Sequence, residues 1–291
     1  MAGPSLQRIV WLASFPKSGN TWTRIFLANL MMPANEVPDI NHLYRFTTAD
    51  VRQDFFDRAA GGEFRGSSTE DWLKVRPKVL ALIAASKPGH HFVKTHSQIG
   101  RMEGTPLIPP GVTAGAVYLM RNPFDVALSY ARHLSMDLDA TIDRMLDPTS
   151  VNATSTGILE FIGRWDAHVA SWAEAPGLAP HVMRYEDMIA DPETTFRSLI
   201  GYLRVQANDG KLRKAIRAAS FKNLQAQESK KGFRERPEGM QRFFATGQSG
   251  GWREKMTPAQ ISRLVTEFEG ALSRHYPEIL DEARAAARGA A

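Results

Sequence analysis

No cysteine occurs among the 291 residues. Disulfides, thiolate metal sites and cysteine nucleophiles are thereby excluded, and the expected setting is a reducing one, the cytoplasm. A long uncharged apolar run is also missing. The amino end, MAGPSLQRIVWLASF, is soon broken by polar and charged residues, so neither a leader peptide nor a membrane span is expected. Charge of one sign is not in large excess. The formal net charge is +5 and the basic residues form no stripe, which suits an anionic small ligand and gives no support to a nucleic-acid partner. Internal repeats and low-complexity linkers are absent too. With 43% hydrophobic and 23% charged residues, the chain can bury the core of one large domain without a staple.

What is present alternates between strands and helices. Arg8 to Ser14 (RIVWLAS) is a buried strand, and Trp22 to Met32 is an amphipathic helix with Trp22, Ile25, Phe26 and Asn29 on one side, stopped by Pro33. Further strands are expected at His91–Thr95, Ala116–Met120 and His181–Tyr185. Further helices are expected at Val79–Ala85, Pro123–Leu134, Ile158–Ala173, Pro192 to about Leu203, Lys211–Ala219 and Pro258–Arg274, with a frayed helix at the carboxyl end. The alternation predicts an α/β fold: a single P-loop-like three-layer domain over 1–291, with a parallel central sheet flanked by helices. Residues 33–90 hold aromatics among polar residues and are expected to form loops and short helices of an acceptor-facing insertion. The stretch 230–251, rich in Gly, Lys and Arg, is expected to be a mobile loop.

Between the first strand and helix stands SFPKSGNTW. A helix amino end presents unpaired N–H groups and partial positive charge, so this context favours a phosphate. Gly19 lets the backbone approach an anion, Ser18, Asn20 and Thr21 add donors, and Lys17 adds a full charge. A plain strand–turn–helix connection with a solvated lysine is the competing explanation. The lysine precedes the glycine, so the turn is not the Gly-Lys-Ser/Thr ending that places a hydroxyl on magnesium, and a metal-dependent nucleotide kinase or phosphotransferase is disfavoured. His96, in VKTHSQ at 93–98, follows a strand, and imidazole titrates near neutrality, as a general base requires. Taken alone, such a histidine is more often a surface or structural residue. His90 and His91 point to opposite faces of a strand and cannot share an ion with it, so no metal site is expected. Arg121 lies at a strand end and Ser129 in the next helix, within YLMRNPFDVALSY. Both can face one anion, with the guanidinium fork suited to phosphate oxygens.

Together these segments resemble the cytosolic-type sulfotransferases. The turn is similar to YPKSGTTW, departing only at Phe15 and Asn20, and the segment 121–129 is similar to RNPxDVxxS. The resemblance implies 3′-phosphoadenosine 5′-phosphosulfate as donor cosubstrate, without a metal, and a small-molecule acceptor with a hydroxyl or amine. It implies His96 as general base, with Lys17 between the leaving phosphate oxygen and the sulfuryl group and Lys94 assisting. Ser18, Gly19, Asn20, Thr21 and Trp22 would hold the 5′-phosphate, with Trp22 near the adenine. Arg121 and Ser129 would grip the 3′-phosphate, and Tyr185 (in RYEDM), Ser220 and Phe221 would contact the adenine. The family's last motif reads approximately RKGxxGDW. Here the run is Ala245-Thr246-Gly247-Gln248-Ser249-Gly250-Gly251-Trp252. Gly247 can still offer its N–H, but the Arg-Lys pair is missing, leaving Arg242 or Arg253 to replace it, or a catalytically inactive nucleotide-binding relative. Acceptor identity and oligomeric state, a homodimer included, stay open.

Overall fold

A computed structural model of the chain describes residues 8–33, 39–237, 239–245 and 247–288. Its centre is a sheet of five parallel strands: β1 (Arg8–Ser14), β2 (Thr48–Ala49), β3 (His90–Thr95), β6 (Thr113–Met120) and β9 (His181–Arg184), in spatial order β2-β3-β1-β6-β9. Two small antiparallel ribbons stand apart: β4 (Arg101–Met102) with β5 (Thr105–Pro106), and β7 (Val151–Ala153) with β8 (Leu159–Phe161).

The strand side chains alternate between two separate cores. Ile9, Trp11 and Ala13 of β1 and Ala116, Tyr118 and Met120 of β6 face one of them. There they meet the helices Thr69–Ala85, Pro123–Leu134, Trp165–Ala173 and Pro258–His275. Leu12, Val117 and Leu119 face the other, against the helices Asn20–Met31, Pro192–Tyr202 and Asp209–Ala218. Strands buried on both faces are near-continuously apolar, as RIVWLAS is.

The chain runs from β1 to the β3 side and later to the β6 side, so β1 is the topological switch, and the carboxyl ends flanking it are where such sheets bind ligands. The register sets Ala13 beside Thr95, Ser14 beside Leu119 and Met120 beside Arg184. Lys17, His96, Arg121 and Tyr185 therefore leave the sheet along one edge.

Several expected elements differ. The helix expected from Val79 begins at Thr69, capped by Ser68, which accepts from the Asp71 N–H, and Pro77 lies inside it. The segment expected as a continuous helix from Ile158 is β8 followed by a helix from Trp165. Its backbone bonds outside itself: Gln98 N–H donates to the Phe161 carbonyl at 2.8 Å, and Ile162 and Gly163 both donate to Ser150 at 2.9 Å. Tyr185 opens a short helix (Tyr185–Ala190) rather than closing the strand. The carboxyl-terminal segment, expected to fray, is a helix (Pro277–Arg288) whose Ile279, Leu280 and Ala283 are buried. Residues 33–90 also contain a 3-10 turn (Ile40–Arg45), the edge strand β2 and the helix Gln53–Ala60; residues 34–38 lie outside the described ones. From 230 to 251, Lys230 and Lys231 finish the helix Phe221–Lys231, and Phe233, Phe243 and Phe244 cluster with ring centroids 4.8–5.2 Å apart. Glu238 and Thr246 of that stretch are not described.

Candidate active site

A cavity of ≈ 770 Å³ opens at the carboxyl edge of the sheet. Of the residues singled out in the sequence, it gathers Lys17, Gly19, Asn20, Thr21, Trp22, Lys94, His96, Arg121, Ser129, Tyr185, Phe221 and Gly247. Ser18 and Ser220 do not line it. Ser18 is buried in the turn with its Oγ lacking a hydrogen-bond partner, and Ser220 precedes the helix Phe221–Lys231 without capping it. Among the described residues of 33–90, only Ala49 lines it. Phe55, Phe56, Phe64 and Trp72 are core side chains instead. The cavity is also lined by Tyr130, Arg144, Val151, Asn152, Ala153 and Glu160.

The turn is shaped for an anion. Lys17 has φ +69° and Gly19 φ +99°, left-handed positions that curl backbone N–H groups into a concavity. The helix from Asn20 has no side-chain cap and no acidic residue in its first turn, so its terminal N–H groups stay free. A Cβ on Gly19 would meet the Tyr185 ring at 2.9 Å, and one on Gly247 would meet the Phe221 ring at 2.4 Å. The two glycines let these aromatics close on the cavity.

Lys17 Nζ lies 4.1 Å from the Phe243 ring centroid and 3.5 Å from His133 Nδ1. Burial pushes its pKa down to about 7, with Arg132, Arg121 and Lys94 adding like-charge repulsion. His96 Nδ1 lies 2.8 Å from the Ser14 carbonyl oxygen and 3.1 Å from Ser14 Oγ. A carbonyl only accepts, so Nδ1 carries the hydrogen and Nε2 the lone pair. Burial and the Lys94 charge hold this imidazole well below its usual range, so it is neutral at neutral pH. Behind it, the His96 carbonyl accepts from His168 Nε2 at 3.1 Å, and His168 Nδ1 accepts from the Tyr118 hydroxyl at 3.0 Å. His168, held down to about 4 by burial, is a neutral strut.

Arg121 is stacked 4.2 Å from the Tyr185 ring and donates to the Lys17 carbonyl at 3.3 Å and the Gln248 carbonyl at 2.9 Å, while its buried Nε has no partner. The run Gly247–Trp252 is fixed against it through Asp125, which accepts from Ser249 Oγ at 2.8 Å and the Gly250 N–H at 2.6 Å. Neither arginine suggested for the missing Arg-Lys pair reaches the cavity. Arg253 pairs with Glu282 and lies over Trp252, and Arg242 is exposed outside the cavity lining. Two cavity residues missed in the sequence, Arg132 and His133, follow Ser129 at helical spacing, a signal that was there to use. Glu235, which meets Arg24 at 2.7 and 2.9 Å, carries no local signal. Among the described residues no group of three or more His, Cys, Asp or Glu is placed to hold a metal, and no helix is long and apolar enough to cross a membrane.

Fold and site define a class: an α/β group-transfer enzyme that binds an anionic donor at the switch of its sheet. The sequence profile described as Sulfotransferase domain matches residues 7–275, and the chain belongs to that family; it is a sulfotransferase. This sets aside the kinase considered on the turn alone. It is similar to cytosolic sulfotransferase 15 of Arabidopsis thaliana, with 26% identity over 271 residues covering 89% of this chain and 70% of the relative. It is also similar to flavonol 3-sulfotransferase of Flaveria bidentis, with 23% identity over 280 residues covering 90% and 82%. Solved structures with the same fold include mouse sulfotransferase SULT7A1 complexed with PAP (TM-score 0.62, 18% identity, 98% of this chain and 91% of that one). Another is retinol dehydratase complexed with androsterone and inactive cofactor PAP (TM-score 0.65, 18% identity, 92% and 82%).

Proposed function

We propose that this sulfotransferase takes its sulfuryl group from 3′-phosphoadenosine 5′-phosphosulfate and passes it to a hydroxyl (or amine) of a small acceptor, with His96 as general base. The observation that carries this is the fixed tautomer of His96: its Nδ1 hydrogen is committed to Ser14, leaving Nε2 to accept a proton in the cavity it shares with Lys17. The orphaned Ser18 Oγ and Arg121 Nε fit a ligand with phosphate oxygens at both places. Trp22, Tyr185 and Phe221, all lining the cavity, supply aromatic faces for a purine.

In the transfer, the acceptor oxygen forms a bond to sulfur as the bond from sulfur to the bridging phosphate oxygen breaks. The acceptor proton goes to His96 Nε2, and the leaving nucleotide keeps the bridging oxygen. Lys17, helped by Lys94, offsets the charge growing on that oxygen and on the sulfonate. Positioning and fixed positive charge supply the acceleration. The loop after Lys231, which brings Glu235, Phe243, Phe244 and Gly247 to the cavity, covers the nucleotide and keeps water from the donor. The protein acts in the cytoplasm.

His96→Ala tests the assignment with sulfur-labelled donor. Turnover should fall by about 10²–10⁴ while calorimetry with adenosine 3′,5′-bisphosphate shows unchanged affinity. Retained turnover would remove His96 from the base role. Nucleotide binding without transfer by the unmodified chain, across a broad panel of acceptors, would favour the inactive relative.

A further inference from the structure

We infer that Arg132 is the cation that replaces the missing Arg-Lys pair and determines this enzyme's preference for a donor carrying a 3′-phosphate. This rests on the donor proposed above. Arg132 lies three residues after Ser129 on the helix Pro123–Leu134, and both side chains line the cavity with Arg121 and Lys17. Among the described residues no carboxylate pairs with it, in contrast to Arg24 with Glu235, Arg253 with Glu282 and Arg263 with Asp143.

Arg121 is only partly available to the second phosphate. Two of its nitrogens donate to backbone carbonyls, and the buried Asp125 carboxylate stands 4.0 Å away. Its Nε has no partner, and one N–H on each terminal nitrogen stays available to a ligand. The run that follows Ala245 contributes backbone and no cation. Two phosphates and a sulfonate entering a partly buried cavity meet Lys17, half-countered Arg121 and Lys94, which Glu160 faces at 3.9 Å, so a further cation without a carboxylate is favourable there. Arg132 repels both Lys17 and Arg121 in the free protein, which places its charge in their common field. An unpaired guanidinium offers the fork that a phosphate takes in two bonds.

Calorimetry on the full-length chain reads this directly, comparing adenosine 3′,5′-bisphosphate with adenosine 5′-monophosphate. Arg132→Ala should weaken the bisphosphate roughly ten- to a hundredfold and leave the monophosphate within about threefold. Arg132→Lys should restore part of the loss, since it returns the charge without the fork. Arg253→Ala and Arg242→Ala should leave both affinities unchanged. An equal loss for the two nucleotides, or none for either, overturns the inference, as does a raised acceptor KM with unchanged bisphosphate affinity. If the unmodified chain binds neither nucleotide, the proposed donor fails first and takes this inference with it.

Discussion

Lys17 and His96 are both pushed toward the neutral form by one cause, burial beside other cations. For Lys17 the sign follows simply. The free ammonium is destabilised, with a pKa of about 7, and a bound anion favours it, so the pKa rises in the complex. Nucleotide affinity should therefore be full below pH 7 and fall as pH rises above it, with proton uptake on binding near pH 8. Calorimetry in two buffers of different ionisation enthalpy detects that uptake. Lys17→Arg removes the titration and should flatten the profile. For His96 the depressed pKa keeps the base unprotonated down into acid, so the acid limb of kcat/KM for the donor should lie below the ordinary histidine range. A limb at pH 6.5 would show that the ring is more solvated than the cavity makes it. The identities of these residues were legible because KSGNT, KTH and RNPFDVALS are local strings. The hydrogen bond that fixes the tautomer spans 82 residues and was not.

The elements that present the site were legible where one physical cause dominates. The short apolar runs of β1, β3 and β6 are strands because both faces are covered, and Asn122 with Pro123 opens a helix at the expected residue. Errors fell where two causes compete. Pro77 argues for a helix start, since it removes an N–H and crowds the preceding turn, yet the helix Thr69–Ala85 runs through it, held by buried Trp72, Leu73, Val79, Leu80 and Ile83. The apolar spacing of 158–173 satisfies a helix, but Phe161 and Ile162 instead find backbone partners at Gln98 and Ser150. That strand brings Glu160 into the cavity, and it depends on a ribbon too short to register in sequence. At the same scale, Gly247 is one of the contacts between the last loop and the helix Phe221–Lys231. Gly247→Ala would keep φ +62° with a Cβ pressed on the Phe221 ring. It should cost about 1–3 kcal/mol in strain, read as a lower denaturation midpoint, together with a weakened affinity for the nucleotide. An unchanged affinity would mean that Phe221 does not contact the base.

At the scale of the molecule, the site is an edge of one sheet, so the sheet's own edge must be secured. Arg76 and Asp50, both fully buried, meet at 2.6 Å, and Thr95 Oγ1 donates to the same carboxylate at 2.9 Å. This bond set ties the helix Thr69–Ala85 to the residues just after β2 and to the last residue of β3, one position before His96. Arg76→Ala leaves a buried carboxylate unpaired and should cost about 3–5 kcal/mol, measured by urea unfolding. A loss under 1 kcal/mol would show the pair to be solvated. The parallel α/β class was legible from the alternation of elements. Strand order was not, because β2 is two residues long and its place at the edge depends on pairing with Val93 and Lys94. The account as a whole stands on one geometry, a phosphate cradle and an imidazole facing each other across one cavity. A crystal structure with adenosine 3′,5′-bisphosphate measures it. The 5′-phosphate should sit on the N–H groups of residues 18–21 within hydrogen-bond reach of Ser18 Oγ, with His96 Nε2 facing its open side across room for one acceptor. A nucleotide bound elsewhere, or a His96 ring turned away from that phosphate, would contradict the account.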